Sequence, residues 1–177
     1  MRNLFLLVLC GVTVFLPACR RGGAAPAPVP AAAPEPAVVW SALGPADVVY
    51  QGNAGGIQDS VRQVIRDVDA YRQMWQEATA RQVSPPAAPP VDFAREMLLV
   101  VAAGRMTPED EIHVDSVALR PERTADGRTE EALAAVVRVF QGCRRFTVAA
   151  YPIEIVRVRR FEGPVRWIER RERAQDC

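Results

Sequence analysis

The sequence predicts an α+β protein that is mainly antiparallel β-sheet, arranged as a sandwich or a partly open barrel, with one amphipathic helix early in the chain. Three observations support this fold class. Apolar residues recur with a two-residue period through much of residues 97–168, which is typical of half-buried strands. Glycine and proline turn signals separate these segments. Residues 67–82 have helical spacing instead.

The segment before the predicted fold is typical of a lipoprotein signal peptide. Its apolar stretch, Leu4 to Ala18, is 15 residues long, whereas a helix needs about 20 residues to span a bilayer and a signal peptide needs about 7–15. Leu16, Ala18 and Cys19 resemble a bacterial lipobox, whose cysteine receives the lipid. We therefore expect removal of residues 1–18 and lipidation of Cys19, with plain secretory cleavage and an uncleaved anchor as the alternatives.

Residues 19–37 are predicted to be the lipidated cysteine followed by a tether. Five prolines and many alanines occupy residues 20–37, a composition that favours extended polyproline II and cannot build a core. Arg20 stands where many lipoproteins retained at the inner membrane have aspartate, so we expect a cell-envelope protein at the outer membrane, facing the periplasm or the outside. Residues 38–177 are predicted to form a single domain.

The first predicted elements are short strands around Val38–Trp40 and Val48–Tyr50, then a strand over 61–66. Asp67 is a suitable N-cap for the helix that follows. The apolar stripe of this helix is predicted to consist of Val68, Tyr71, Trp75 and Ala78. The proline-rich segment 84–90 prevents the helix from continuing.

The remaining elements are predicted to be strands. Residues 97–103 are continuously apolar, which indicates a strand buried on both faces. The alternation in 112–119 slips at Asp115–Ser116, which predicts a β-bulge. The last part of the chain is predicted to contain strands at 133–139 after an Asp126–Gly127 hairpin turn, at 146–150, at 153–161 with a second slip between Ile155 and Val156, and at 165–168.

Residues that could carry catalysis are sparse. His113 is the only histidine, and the spacing places Ser116 on the opposite strand face, so we interpret His113 as a surface residue of a polar strand. The acidic residues within 109–115 lack calcium-loop spacing; we interpret them as a solvated turn, with a weak cation site or a docking patch as alternatives. We therefore predict no catalytic residues, no metal site and no cofactor.

Two cysteines, Cys143 and Cys177, remain after the expected processing. An oxidising envelope would favour a disulfide between them, and closing a loop of this length contributes about 3–4 kcal/mol in the chain-entropy model. The alternative is a buried Cys143 with a free or intermolecular Cys177.

The C-terminal strands carry a candidate partner-binding surface. Arginine and tryptophan are frequent in binding hot spots, and the residues concerned are Arg157, Arg159, Arg166, Trp167 and Arg170. The alternative is a charged strand that protects a sheet edge. We do not expect nucleic-acid binding outside the cytoplasm.

Several segments together resemble the C-terminal domain of the PrcB protease-complex subunit family, over about residues 55–170. They are "VIRDVDAYRQMWQE", "PPVDFAREMLLVVAAG" and "VAAYPIEIVRV". The chain departs from the family pattern at 108–110, where proline and two acids replace paired glycines. The matching positions are Trp75, Asp92, Phe93, Gly104, Cys143 and Pro152.

This resemblance implies a non-catalytic lipoprotein that associates with an exported protease and supports its maturation or stability. The lipobox and the lack of catalytic motifs agree with that expectation. We therefore predict a lipid-anchored envelope protein that binds an exported partner protein. The alternative is a protease inhibitor or other ligand-binding module that uses a loop such as 104–111.

Overall fold

A computed structural model of the chain describes residues 38–144 and 146–175. The predicted signal peptide, Cys19, the tether and Cys177 lie outside these ranges. The described residues form two four-stranded sheets and one helix, which confirms the predicted α+β sandwich. The elements are β1 (Ser41–Ala42), β2 (Val48–Gly52), β3 (Ser60–Ile65), α1 (Val68–Thr79), β4 (Glu96–Ala103), β5 (Glu111–Arg123), β6 (Thr129–Gln141), β7 (Ile153–Arg159) and β8 (Val165–Arg173).

The sheets differ in strand direction. Sheet A has the order β1-β5-β6-β8 and sheet B the order β2-β7-β4-β3. Every pair in sheet B is antiparallel, and so are the first two pairs in sheet A. β6 and β8 are parallel, from Leu133↔Val165 to Gln141↔Arg173. A parallel pair needs a crossover connection, and here the chain makes that crossover through β7 of the other sheet.

The main core lies between the sheets. Alternate residues of β4, namely Met97, Leu99 and Val101, face sheet A and are fully buried. The residues between them, including Leu98 and Val100, face α1 instead. β4 is therefore buried on both faces, which explains why its sequence is continuously apolar rather than alternating.

Helix α1 begins where its sequence predicts. Asp67 Oδ1 accepts hydrogen bonds from the backbone N–H groups of Asp69 and Ala70, at 3.1 and 2.8 Å. The helix ends at Thr79, and the proline-rich connector folds back over it. Trp75 Nε1 donates to the carbonyl of Pro86 at 2.9 Å. This connector is thus held against the helix rather than left as a free linker.

The predicted apolar stripe of α1 needs one correction. Val68 is 51% exposed, whereas Met74, which the stripe did not include, is buried. Tyr71, Trp75 and Ala78 are buried as predicted, in contact with sheet B. Val68 is the first residue of the helix, so its side chain lies beyond the area that sheet B covers.

The two predicted strand irregularities had different outcomes. The register of β5 against β6 shifts between Val114 and Ser116, which confirms the predicted bulge. The predicted slip between Ile155 and Val156 is wrong, because β7 pairs with β4 in one unbroken register. Consecutive apolar residues occur there because β7 is buried on both faces. The register shift near this point belongs to β2, between Val48 and Tyr50.

Several predicted strands differ in extent from those of the structure, and one is not formed. Strand β1 begins at Ser41 rather than at Val38, and β8 continues to Arg173 rather than ending at 168. The predicted strand at 146–150 is a bent segment in which Ala150 alone forms a bridge, to Met106. Among the described residues, no helix has the length and apolarity that crossing a membrane would require.

Candidate functional site

A polar bridge joins the two sheets near the start of β5. Glu154 of β7 is only 3% exposed, and its Oε2 accepts a hydrogen bond of 2.6 Å from the backbone N–H of Val114. Its Oε1 lies 3.0 Å from His113 Nδ1, while His113 Nε2 lies 3.0 Å from Glu111 Oε2. His113 is therefore a link between sheets, and the prediction of a surface histidine in a polar strand is wrong.

The environment of His113 stabilises its charged form. Burial lowers the pKa of His113, but the hydrogen bonds to Glu111 and Glu154 outweigh burial and raise it above the ordinary value of 6.5. The nearby Arg138 guanidinium partly opposes that rise. Both ring nitrogens are engaged by carboxylates, so the arrangement is suited to holding the sheets together rather than to activating Ser116.

A cleft of about 490 Å³ opens beside this bridge. Its volume is within the range of small-molecule sites. Its charged lining, however, is already paired within the chain. Arg138 Nε lies 3.1 Å from both carboxylate oxygens of Asp115, and His113 is held by Glu154. The cleft therefore offers an incoming molecule few unpaired charges.

The acidic segment 109–115 is not the solvated turn that its composition predicts. Asp110 is buried and accepts hydrogen bonds from the backbone N–H groups of Thr107 and Gly142, at 2.7 and 2.8 Å. Glu109 pairs with Arg144 at 3.0 Å. The segment fastens the loop after β4 to the turn after β6. Within the described part of the chain, no three acidic, histidine or cysteine side chains are placed to hold a metal ion.

The five residues of the predicted partner-binding surface do not come together. Arg157 and Arg159 share the face of sheet B that carries α1, since Arg157 lies opposite Leu98 in the β4–β7 register. Trp167 of β8 packs against the core between the sheets. Arg166 and Arg170 alternate with it and face away from that core. The prediction therefore divides between two sheets, and only Arg159 borders the groove described next.

The apolar groove lies between the two sheets, at the end of β7. Its volume is about 650 Å³. Buried Leu133 and Val158 lie at its base, while Leu119 is 49% exposed and Val39 is 80% exposed at its rim. Apolar side chains with this exposure, grouped around one opening, mark an interaction site more often than scattered surface residues do. The remaining lining residues are Ser41, Val117, Ala118, Glu131, Arg159, Arg160 and Phe161.

One wall of the apolar groove is the last residue of β7, Arg159, which lies beyond the start of β2. Arg160 donates its backbone N–H to Arg95, on the β4 side, at 2.7 Å, and Arg157 donates to Asp47, on the opposite side, at 2.8 Å. Because backbone groups alternate between the two sides of a strand, those of Arg159 point away from β4. β2 pairs with β7 only up to Val156. No described strand therefore pairs with Arg159 on that side.

Cys143 lies close to the C-terminal end of the described chain. Its Sγ is 3.9 Å from the carbonyl oxygen of Ala174. The other member of the predicted pair, Cys177, lies outside the described residues, so the disulfide stays a prediction.

Comparisons with family models, with curated proteins and with solved structures found no match to this chain. The resemblance to the PrcB C-terminal domain family therefore stays a prediction. In the structure, two of the residues that carry it have clear structural roles. Trp75 packs between α1 and sheet B, and Gly104 ends β4 with a φ of +77°, a conformation that favours glycine.

Sequence reasoning missed both the polar bridge and the apolar groove. Glu154 is the only acid in the mostly apolar segment "YPIEIVRV". A buried acid needs hydrogen-bond partners, so its position was a signal that the sequence offered for the polar bridge. The groove had no such signal. The groove is open because β2 begins opposite Val156 of β7 and β1 pairs with only two residues of β5.

Proposed function

We propose that residues 38–177 form a domain that binds an exported partner protein and that lipid on Cys19 holds this domain at the cell envelope. The apolar groove is the observation that carries the proposal. It combines half-exposed Leu119 and largely exposed Val39 with the backbone of Arg159, which no described strand pairs on the side away from β4. Apolar side chains and main-chain groups of this kind bind polypeptide.

Binding accounts for these groups better than catalysis does. A reaction needs a nucleophile or base within reach of its substrate, and the groove is lined by apolar side chains, two arginines, a serine and one glutamate. The His113–Glu154 pair, which has the chemistry of a base, is engaged in joining the sheets. We therefore propose that the protein is not catalytic.

The envelope location rests on the N-terminal sequence. The apolar stretch before Cys19 has signal-peptide length, and several acyl chains would hold the protein stably at a membrane. Labelling with radioactive palmitate tests this directly. We expect label on the wild-type protein and none on Cys19→Ala, which should also leave the membrane fraction. An unlabelled wild-type protein would contradict the lipid anchor.

The resemblance to the PrcB family supports a protease as the partner, with this protein assisting its maturation or stability. The alternative is an inhibitor that inserts the loop 104–111. Asp110 holds that loop to Gly142, which favours the groove as the binding surface. Deleting the gene while following the partner's activity separates the two: lost activity supports the helper, and increased activity supports the inhibitor.

A further inference from the structure

We infer that the partner inserts an extended apolar strand into the groove and pairs it with the free edge of β7, with an acidic side chain opposite Arg159. The inference rests on the proposed function, because it specifies what the bound part of the partner looks like. Such strand addition combines main-chain hydrogen bonds with pockets for alternate side chains.

The backbone geometry provides the first argument. Arg157 has its outward N–H bonded to Asp47, and Arg159 is the next residue along β7 whose N–H and C=O point the same way. β2 does not reach Arg159, since it pairs with β7 from Ile153 to Val156. An added strand would thus continue sheet B beyond the start of β2.

The side chains beside that edge provide the second argument. Successive residues of a strand point to opposite faces, so an added strand would place every second side chain between the sheets. There it would meet Val158, Leu133 and Leu119, which are apolar and line the groove. Apolar side chains at alternate positions of the partner would therefore become buried.

Charge provides the third argument. The side chain of Arg159 is exposed. Glu96 lies opposite it on β4, but within 38–144 and 146–175 Arg159 forms no ion pair, whereas its neighbour Arg160 is bound to Glu162. A residue directly opposite on an added strand would share the outer face with Arg159, where opposite charges attract. An aspartate or glutamate at that position fits best, flanked by apolar residues that point inward.

The edge strand β8 of sheet A is a poorer site for strand addition. Its exposed residues are charged, among them Arg166, Arg170 and Arg171, and charged edge strands oppose pairing with other chains. Glu169 of β8 is also tied to Arg62 of β3 at 2.9 Å. The end of β7 is surrounded by apolar side chains instead. We therefore place the partner's strand in the groove.

Site-specific photo-cross-linking in intact envelopes tests the inference with the full chain. The photoreactive residue p-benzoylphenylalanine replaces Leu119 or Arg159 in the groove, and Val68 or Arg170 as controls. Val68 is a matched control because it is 51% exposed, against 49% for Leu119. Cross-linked peptides are then identified by mass spectrometry.

We expect positions 119 and 159 to capture one segment of one exported protein, with apolar residues alternating around an acid. Capture of that protein only from 68 or 170, or of a helical segment from the groove, would overturn strand addition and leave the proposed partner binding standing. Capture of lipid instead of protein from the groove would overturn both. Capture of no exported protein from any position would overturn both.

The captured segment, made as a synthetic peptide, then tests main-chain pairing. Methylating its backbone nitrogen opposite Arg159 removes one donor, and we expect roughly tenfold weaker binding to the full mature chain. Leu119→Glu should weaken binding by about tenfold or more, while Val68→Glu should leave it unchanged. Equal binding of the methylated and unmethylated peptides would overturn the pairing. Circular dichroism verifies that each variant is folded.

Discussion

β5 and β7 lie on facing sheets, and the two ends of this pair differ. At one end, His113 and Val114 of β5 are hydrogen-bonded to Glu154 of β7. At the other end, Leu119 of β5 and Arg159 of β7 border the apolar groove. The closed end pairs its polar groups within the chain, whereas the open end exposes apolar surface and leaves the backbone of Arg159 unpaired by any described strand on the side away from β4.

This difference separates the residues that stabilise the fold from those of the proposed binding site. A buried carboxylate such as Glu154 is costly unless hydrogen bonds compensate for its lost hydration, so the closed end contributes to folding only as an intact network. The rim of the groove contributes less to folding. Its rim residues keep part of their surface in water, and that surface is available for a partner to bury.

The largest effect should come from a cross-strand pair of leucines at the open end. Leu133 and Leu119 are directly opposite in the β5–β6 register, but Leu133 is 6% exposed and Leu119 is 49% exposed. We expect Leu133→Ala to lower the free energy of unfolding by about 2–4 kcal/mol and Leu119→Ala to lower it by less than about 1 kcal/mol. Urea denaturation measures both.

The comparison of the two ends would fail if both leucine variants lost the same stability. That result would mean that Leu119 already has a buried environment in the unbound protein, which would leave the groove with little apolar surface for a partner. Val68→Ala provides the reference for an exposed apolar residue.

A smaller but substantial loss is expected at the closed end. Glu154→Ala leaves the N–H of Val114 and a nitrogen of His113 without their acceptor, which should cost about 2 kcal/mol in unfolding free energy. Glu154→Gln retains an acceptor for Val114 and should cost less. Glu111→Ala is the control, because Glu111 is half exposed and such ion pairs contribute about 0–1 kcal/mol.

Equal stability of Glu154→Ala and Glu111→Ala would contradict the bridge. If Glu154→Ala were instead as stable as the wild type, the apolar core alone would hold the sheets together. The hydrogen bonds of the closed end would then contribute nothing to stability.

The smallest effect is a pH dependence of the bridge. Burial lowers the pKa of His113, but hydrogen bonds to Glu111 and Glu154 raise it overall, against an opposing effect of Arg138. Because the folded pKa exceeds the ordinary value of 6.5, the stabilisation is complete below that value and is lost as the pH rises through the folded pKa.

Comparison of the wild type with His113→Gln isolates this contribution, since His113 is the only histidine. We expect the wild type to exceed the variant in unfolding free energy by more at about pH 5.5 than at about pH 8.5. A constant difference across that range would show that the His113 pKa is the same in the folded and unfolded chains.

The elements that the sequence predicted best were those with a strong local cause. Asp67 caps α1 because a side-chain oxygen two or three residues away suffices for that bond. The bulge after Val114 was predicted from a phase change within one strand. The second slip was misread because burial on both faces of β7 removes the alternation from which register is inferred.

The expected grouping of the arginine surface and the expected exposure of His113 were wrong for a different reason. Arg157, Arg166 and Trp167 are near one another in sequence, but β7 and β8 belong to different sheets. His113 and Glu154 are 41 positions apart, and no local pattern relates them. Distance along the sequence does not report which strands become neighbours here, because the connections before and after β7 both cross between the sheets.

The sequence alone was therefore enough to predict the signal peptide, the helix with its cap, the strand-rich class and the burial of β4 on both faces. Each of these depends on contacts or spacings within a few residues. Only the tertiary structure decided that β6 and β8 are parallel, that Glu154 is paired with His113, and that β7 ends beside a groove with Arg159 unpaired by any described strand on the side away from β4. Those features depend on which strands become neighbours, and that choice minimises exposed apolar surface over the whole domain rather than along any one segment.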